Sequence, residues 1–335
     1  MTVESKLDVA EMHGQIWEVL SDGLPVVLTS HSRLDGDAVG SVLGLWHGLR
    51  DKGIEGHHFF QPPTPAMFDF LPGMDRRCED PARLPEAYNL VVVDCGTFER
   101  IGDLAGQLGG RERTVNIDHH DGNSLFGDLN YVARSASSCG EMIYELLACG
   151  DVPLTASIAE CLFTAIVTDT GQFSHQDTTP EALRVCAECV RAGAHPYELV
   201  RRLFLSPSAA QVKLRHLALG TLQFYRDGRL STMEVTEEMF QRTGMKPLDT
   251  EGLAEVPVTI QGVWGSALLK EMPGCGYIKV SLRSREKMDV YAVASVFGGG
   301  GHTHAAGCEI ADTLENARRA VVQQLEKQLD AAAAE

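Results

Sequence analysis

Basic residues are scarce in this chain. Lys and Arg number 29 against 46 Asp and Glu, a formal net charge of −17 at pH 7. Broad, non-specific binding of duplex nucleic acid normally rests on a basic surface, so a long duplex is not an expected partner. A small anionic substrate stays open, because bound divalent ions and a few local Arg or Lys reverse the sign inside a cleft. No apolar stretch approaches the roughly 18–20 uncharged residues of a membrane span, and no membrane partner is expected. The opening MTVESKLDVAEMHG has neither the basic start nor the apolar run of a secretion signal, which makes the cytoplasm the expected location. The 9 cysteines, without such a signal, do not suggest a disulfide framework. Cys186 and Cys189 have CxxC spacing, but no second CxxC accompanies them. They lie in PEALRVCAECVRAGA, an amphipathic helical pattern opened by Pro180, where buried or half-buried helix positions are expected. Internal repeats are missing, as is low-complexity sequence beyond the terminal AAAAE.

What remains is an ordinary globular composition, 44% hydrophobic and 22% charged, in 335 residues, long enough for two domains each with its own core. The first half alternates strand-like runs (Pro25–Ser30, Gly56–Phe60, Leu90–Asp94, Thr114–Ile117) with helical patterns near Asp37–Lys52 and Phe98–Leu108. Such alternation predicts an α/β fold with a doubly wound, mainly parallel sheet, whose ligands bind beyond the carboxyl ends of the strands. A further helix is expected over Thr155–Thr168, stopped near Gly171. Residues from about 180 to 222 read as helical, including Pro196–Leu205 and Ser208–Leu219. Beyond them the texture changes. A hairpin signal at Asp227-Gly228, strand candidates Val258–Lys270 and Gly276–Ser284, a helix near Val290–Phe297, a short strand and a final helix from about Leu314 predict a smaller α+β domain. The expected division is a catalytic domain over 1–190, a helical connector over 191–221 and a substrate-binding domain over 222–335.

Residues 31–41 read HSRLDGDAVGS and put His31, Asp35 and Asp37 in one turn after an apolar run. Carboxylates two residues apart repel, and a divalent cation resolves that repulsion. Mixed His/Asp ligation suits Mn²⁺, Zn²⁺ or Fe²⁺ better than Ca²⁺. The pattern recurs as VVVDCG with Asp94, NIDHHDGN with Asp118, His119 and His120, and AIVTDTGQF with Asp169. Taken singly, each has a structural explanation: Asp94 or Asp37 as a helix cap, Asp169 as a turn residue, either histidine as a surface side chain. Taken together they are hard to explain as independent caps, because three of the groups fall at strand ends on one predicted sheet rim. A pair of ions roughly 3.5–4 Å apart would need a bridging group and terminal ligands, and these residues are numerous enough to supply both.

The four motifs, in this order, resemble those of the DHH phosphoesterases, and GGGGHTHAAGC near the carboxy terminus resembles the glycine-rich signature of their associated C-terminal domain. The resemblance spans roughly residues 20–310, with Leu34 standing where the family often has proline. It implies an active site in the cleft between two domains. One metal would be held by His31, Asp35 and Asp94 and a second by Asp37, Asp94, His119 and Asp169, with Asp94 bridging. It further implies that Asp118 orients the histidines and that His120 contacts the scissile phosphate. Mn²⁺ is the expected ion, with Mg²⁺, Co²⁺ or Fe²⁺ as other candidates. Gly299, Gly300, Gly301 and His302 would approach substrate phosphate, and Arg283, with its neighbour Arg285, offers bidentate donors. The short stand-alone architecture is similar to the family's nanoRNase and pAp-phosphatase group, which implies hydrolysis of short RNA oligonucleotides to mononucleotides and of 3′-phosphoadenosine 5′-phosphate (pAp) to AMP, with a homodimer plausible. A soluble cyclic-di-AMP or linear-dinucleotide phosphodiesterase, and a non-catalytic nucleotide-binding regulator, are the alternatives.

Overall fold

The computed structural model describes residues 6–334 apart from 79, 251 and 286. The chain forms two compact units that meet in sequence at Leu205 and Ser206. That division falls inside the stretch expected as a connector, so its two helices belong to different units.

In the first unit the elements run α1 (Lys6–Leu20), β1 (Val26–Thr29), α2 (Gly36–Asp51), β2 (Gly56–His58), β3 (Tyr88–Val93), β4 (Arg111–Asp118), β5 (Leu129–Val132), α3 (Cys139–Cys149), α4 (Ala156–Asp169), α5 (Pro180–Arg191) and α6 (Pro196–Phe204). The strands make one parallel sheet in the order β2-β1-β3-β4-β5. Side chains alternate across it. Val26, Leu28, Val91, Val93, Val115 and Ile117 enter the core shared with the α-helices, while Val27, Leu90 and Val92 face Ile101, Leu104 and Leu108 on the other side. Burial on both faces is why β3 reads as a continuous apolar run.

One expectation needs correction here, and some elements are not among those expected. Phe98–Gln107 is 3₁₀ rather than α-helical and is broken at Gly102, whose φ of 85° is left-handed. The Leu104 N–H donates to the Gln61 side chain at 2.9 Å instead of continuing a helix ladder. Strand β5, too short to show a period, and helices α1 and α3 have no counterpart among the expected elements.

Glycine decides how α2 meets α4. A Cβ on Gly40 would lie 2.4 Å from the Cys161 carbonyl oxygen, and one on Gly36 2.3 Å from Thr168 Oγ1. The two backbones approach as only glycine permits, which brings the start of α2 against the end of α4.

The second unit contains α7 (Ala209–Leu219), β6 (Gln223–Tyr225), β7 (Leu230–Val235), α8 (Glu237–Thr243), α9 (Glu255–Val258), β8 (Gly265–Glu271), β9 (Ile278–Ser284), α10 (Val290–Val296), β10 (Gly300–Gly301), β11 (Ala305–Ile310) and α11 (Leu314–Ala334). Its sheet, ordered β10-β11-β9-β8-β7-β6, is antiparallel except between β7 and β8. Helices α10 and α11 share a core with one face, and α7 and α8 with the other. The strand expected from Val258 begins only at Gly265, because α9 and a turn with left-handed Gly262 (φ 88°) occupy the residues before it. Among the described residues, no helix is long and apolar enough to cross a membrane.

Candidate metal centre

The carboxyl ends of three adjacent strands supply the first donors. His31 lies just past β1, Asp94 just past β3, and Asp118 is the last residue of β4, with His119 and His120 following. Asp94 takes a left-handed backbone (φ 56°). That conformation costs a non-glycine residue about 1–3 kcal/mol and is held by the Asp94 N–H donating to the Ile117 carbonyl at 2.9 Å. Helix ends supply the rest. Asp35, not Asp37, is the N-cap of α2, accepting from the Ala38 N–H at 3.0 Å. Asp37 sits in the first turn and Asp169 is the last residue of α4.

These side chains converge. Asp94 Oδ2 lies 3.2 Å from His31 Nε2, and its Oδ1 lies 3.6 Å from His119 Nε2. His31 Nε2 is 3.6 Å from Asp35 Oδ2. His119 Nε2 is also 3.8 Å from Asp37 Oδ2 and 3.4 Å from Asp169 Oδ2. Its Nδ1 donates to the Ala136 carbonyl at 3.3 Å, which aims Nε2 at the acids. His120 Nδ1 donates to Asp118 Oδ1 at 2.7 Å.

Supporting contacts that sequence reasoning missed hold this arrangement. Asp37 Oδ1 accepts from Ser41 Oγ at 2.8 Å and from the Gly140 N–H at 2.9 Å, and its Oδ2 accepts from the Cys139 N–H at 2.7 Å. A carboxylate on the first N–H groups of α3 is the favourable use of a helix N-terminus. Asn123 donates to Asp118 Oδ2 at 2.6 Å and to Asn116 at 2.7 Å. Asn123 stands inside NIDHHDGN, so its motif was visible although its role was not. Cys139 carried no signal.

The electrostatics show what the pocket lacks. Burial, reinforced by Asp94, pushes Asp37 up to about 7. Burial, with Asp37 beside it, raises Asp169 well above the usual carboxylate range. Burial opposes the charge on His31, but Asp35 and Asp94 outweigh it and lift the imidazole to about 10. His119 is likewise raised, its burial overcome by Asp94 and Asp169. Asp94 moves the other way: the two imidazoles overcome burial and hold it well below the ordinary range. The acids around them thus favour the protonated form of both imidazoles. A cluster of hard oxygens with two imidazole nitrogens, short of positive charge and buried, fits divalent cations. Three overlapping donor groups share Asp94: His31 with Asp35, Asp37 with His119 and Cys139, and Asp118 with His120.

The expected substrate contacts lie in the second unit. Gly300 and Gly301 are an edge strand paired with Gly307 and Ala306, not an open loop. A Cβ on Gly299 would meet the Gly307 carbonyl at 2.2 Å, and one on Gly301 the Ala305 carbonyl at 2.5 Å, whereas Gly300 has space around it. Close strand packing therefore accounts for two of the glycines. The His302 N–H donates to the Ala305 carbonyl at 2.8 Å. Arg283 is paired with Glu255, with Nη2 at 2.8 Å and Nε at 2.9 Å, and Arg285 is exposed. Cys186 and Cys189 are both buried on α5.

A parallel sheet that gathers carboxylates and imidazoles beyond its strand ends is the framework of a metal-dependent hydrolase. Known proteins make the class specific. Residues 25–166 match the DHH family, N-terminal domain, and residues 243–331 match the DHHA1 domain. Over 306 residues, 91% of this chain and 90% of the relative, the chain is 32% identical to the "Bifunctional oligoribonuclease and PAP phosphatase NrnA" of Thermus thermophilus. It is 29% identical to the protein of the same name from Bacillus subtilis, over 85% of this chain and 89% of that one. Among solved structures, an exopolyphosphatase-related protein from Bacteroides fragilis superposes with a TM-score of 0.86 at 25% identity, covering 95% of this chain and 96% of that one. The molecule is a hydrolase acting on phosphoester bonds. It belongs to the DHH family, whose phosphoesterases depend on divalent metal.

Proposed function

We propose that this phosphoesterase hydrolyses very short RNA oligonucleotides to mononucleotides and pAp to AMP, with Mn²⁺ as its ion and the cytoplasm as its place of work. The observation that carries the reading is Asp94: one buried carboxylate presents one oxygen to His31 at 3.2 Å and the other to His119 at 3.6 Å. A ligand shared by two ions needs that disposition. In this reading His31, Asp35 and Asp94 hold one ion and Asp37, Asp94, His119 and Asp169 the other. Bound there, such a pair would supply hydroxide near neutral pH and neutralise charge on the phosphate. The relatives named for oligoribonuclease and PAP phosphatase activity support the choice of substrates.

The chain's own residues then divide the remaining tasks. Asp118, fully buried and held by Asn123, fixes the ring of His120. His120 in turn contacts the scissile phosphate and assists the leaving oxygen. Gly299, Gly300, Gly301 and His302 approach the substrate through backbone and imidazole, and Arg283 exchanges Glu255 for a phosphate. The test is a panel of short RNA, pAp, cyclic-di-AMP and pyrophosphate, each assayed with Mn²⁺. Short RNA and pAp should be the preferred substrates. A clear preference for cyclic-di-AMP or pyrophosphate overturns the assignment.

A further inference from the structure

Cys139 opens α3 beneath the pocket and is fully buried. Its backbone N–H holds Asp37 Oδ2 at 2.7 Å. Sγ is 4.0 Å from Asp94 Oδ1 and donates to the Ile117 carbonyl at 3.6 Å, an ordinary length for a thiol. One donor atom each from Cys139, Asp37, Asp94 and His119 lie within 4.8 Å of one another, and among the described residues no other cysteine joins such a group.

We infer that the Cys139 thiolate is an additional ligand of the ion held by Asp37, Asp94, His119 and Asp169, and that it biases this position toward softer divalent cations. The inference rests on the metal-centre reading above. The separations suit it. Neighbouring ligands of an ion at about 2.0–2.3 Å stand roughly 2.8–3.8 Å apart, from octahedral to tetrahedral geometry, against 3.6, 3.8 and 4.0 Å for the His119–Asp94, His119–Asp37 and Cys139–Asp94 edges here, with the remaining edges within 4.8 Å. Side-chain movement of the thiol and the acids would close them. Sulfur alters the selectivity of an oxygen and nitrogen site, since thiolate favours Zn²⁺, Co²⁺ and Cd²⁺ over Mn²⁺ and Mg²⁺, and a coordinated thiol is deprotonated by the ion itself. A chain that works with Mn²⁺ while carrying this thiol depends on metal availability to keep softer ions out.

The experiment titrates the full-length, metal-free protein with Co²⁺, whose d–d bands report binding and whose near-ultraviolet charge-transfer band reports a bound thiolate. Mn²⁺ binding is followed in parallel by electron paramagnetic resonance. The wild type should show both cobalt signatures. Cys139→Ser and Cys139→Ala should keep the d–d bands and lose the charge-transfer band, and their preference for Co²⁺ over Mn²⁺ should fall by roughly 10–100-fold. Cobalt d–d bands without the charge-transfer band, or a band that survives in both variants, overturns the inference and leaves the metal centre standing. If neither Co²⁺ nor Mn²⁺ binds the wild type, the metal-centre reading fails and this inference with it. Should both variants misfold, cobalt-edge X-ray absorption of the wild type decides: sulfur bonded to cobalt supports ligation, and its absence refutes it.

Discussion

The two sides of the Asp94 carboxylate are built differently. Toward Asp37 the pocket is closed: that side chain is 1% exposed, takes three hydrogen bonds from Ser41, Cys139 and Gly140, and faces a His119 whose ring is oriented by Ala136. Toward Asp35 it is open. That carboxylate is 49% exposed and accepts one backbone hydrogen bond, and His31 Nδ1 is buried without a hydrogen-bond partner among the described residues. A ligand fixed before the ion arrives loses little freedom when it binds, whereas an exposed one must be ordered at that moment. The closed side should therefore hold its ion firmly and the open side should exchange it.

The largest expected effect removes the element common to both sides. Asp94→Asn takes away the shared charge, and turnover should fall by about 10³-fold or more in initial-rate assays, since charge stabilisation by the metals is worth several kcal/mol. Turnover within a few-fold of wild type would mean that the sides do not act together. Next, Asp37→Asn should weaken calorimetric Mn²⁺ binding beyond the roughly 10–100-fold typical of outer partners, and Asp35→Asn should weaken it less. The reverse ranking would abolish the distinction between closed and open. A finer probe is Ser41→Ala, which deletes one donor to Asp37 and should cost roughly tenfold in the affinity of the tighter ion alone.

The mildest test changes only pH. His31 is raised to about 10 in the metal-free fold, so its proton adds stability that is fully present below its unfolded value of about 6.5 and lost as pH rises through about 10. A cation needs that nitrogen's lone pair and must expel the proton. Calorimetry at pH 8 in buffers of different ionisation enthalpy should report proton release, with apparent affinity climbing as pH rises. Binding that releases no proton would remove His31 from the ligand set.

Much of this was legible in the residues because the chemistry is dense and ordered. Alternating apolar runs located β1, β3 and β4, and acids clustered at their ends marked the rim. The remainder depended on distance in space. Asp35 and Asp37 look equivalent in HSRLDGDAVGS, and only the helix register makes one a solvent-facing cap and the other a buried acid. Cys139 carries no signal until β4 and α2 are folded against it. The glycine tract reads as a loop because its pairing with β11 involves backbone alone. Phe98–Gln107 has a helical spacing of apolar residues, yet one left-handed glycine and one glutamine side chain are enough to divert it.

The glycine contact between α2 and α4 bears on how this enzyme can change over time. Asp37 adjoins Gly36 and Asp169 adjoins Thr168, so the gap between two acids on opposite helices is set where backbone meets side chain at a distance no Cβ could share. Lineages can exchange donors around the pocket, a thiol for a hydroxyl or one acid for another, and retune which ion is preferred. Widening the gap itself would require adding bulk at Gly36 or Gly40, which separates the helices before any new spacing can be selected. Metal identity is open to drift here, while the distance between those acids is nearly frozen.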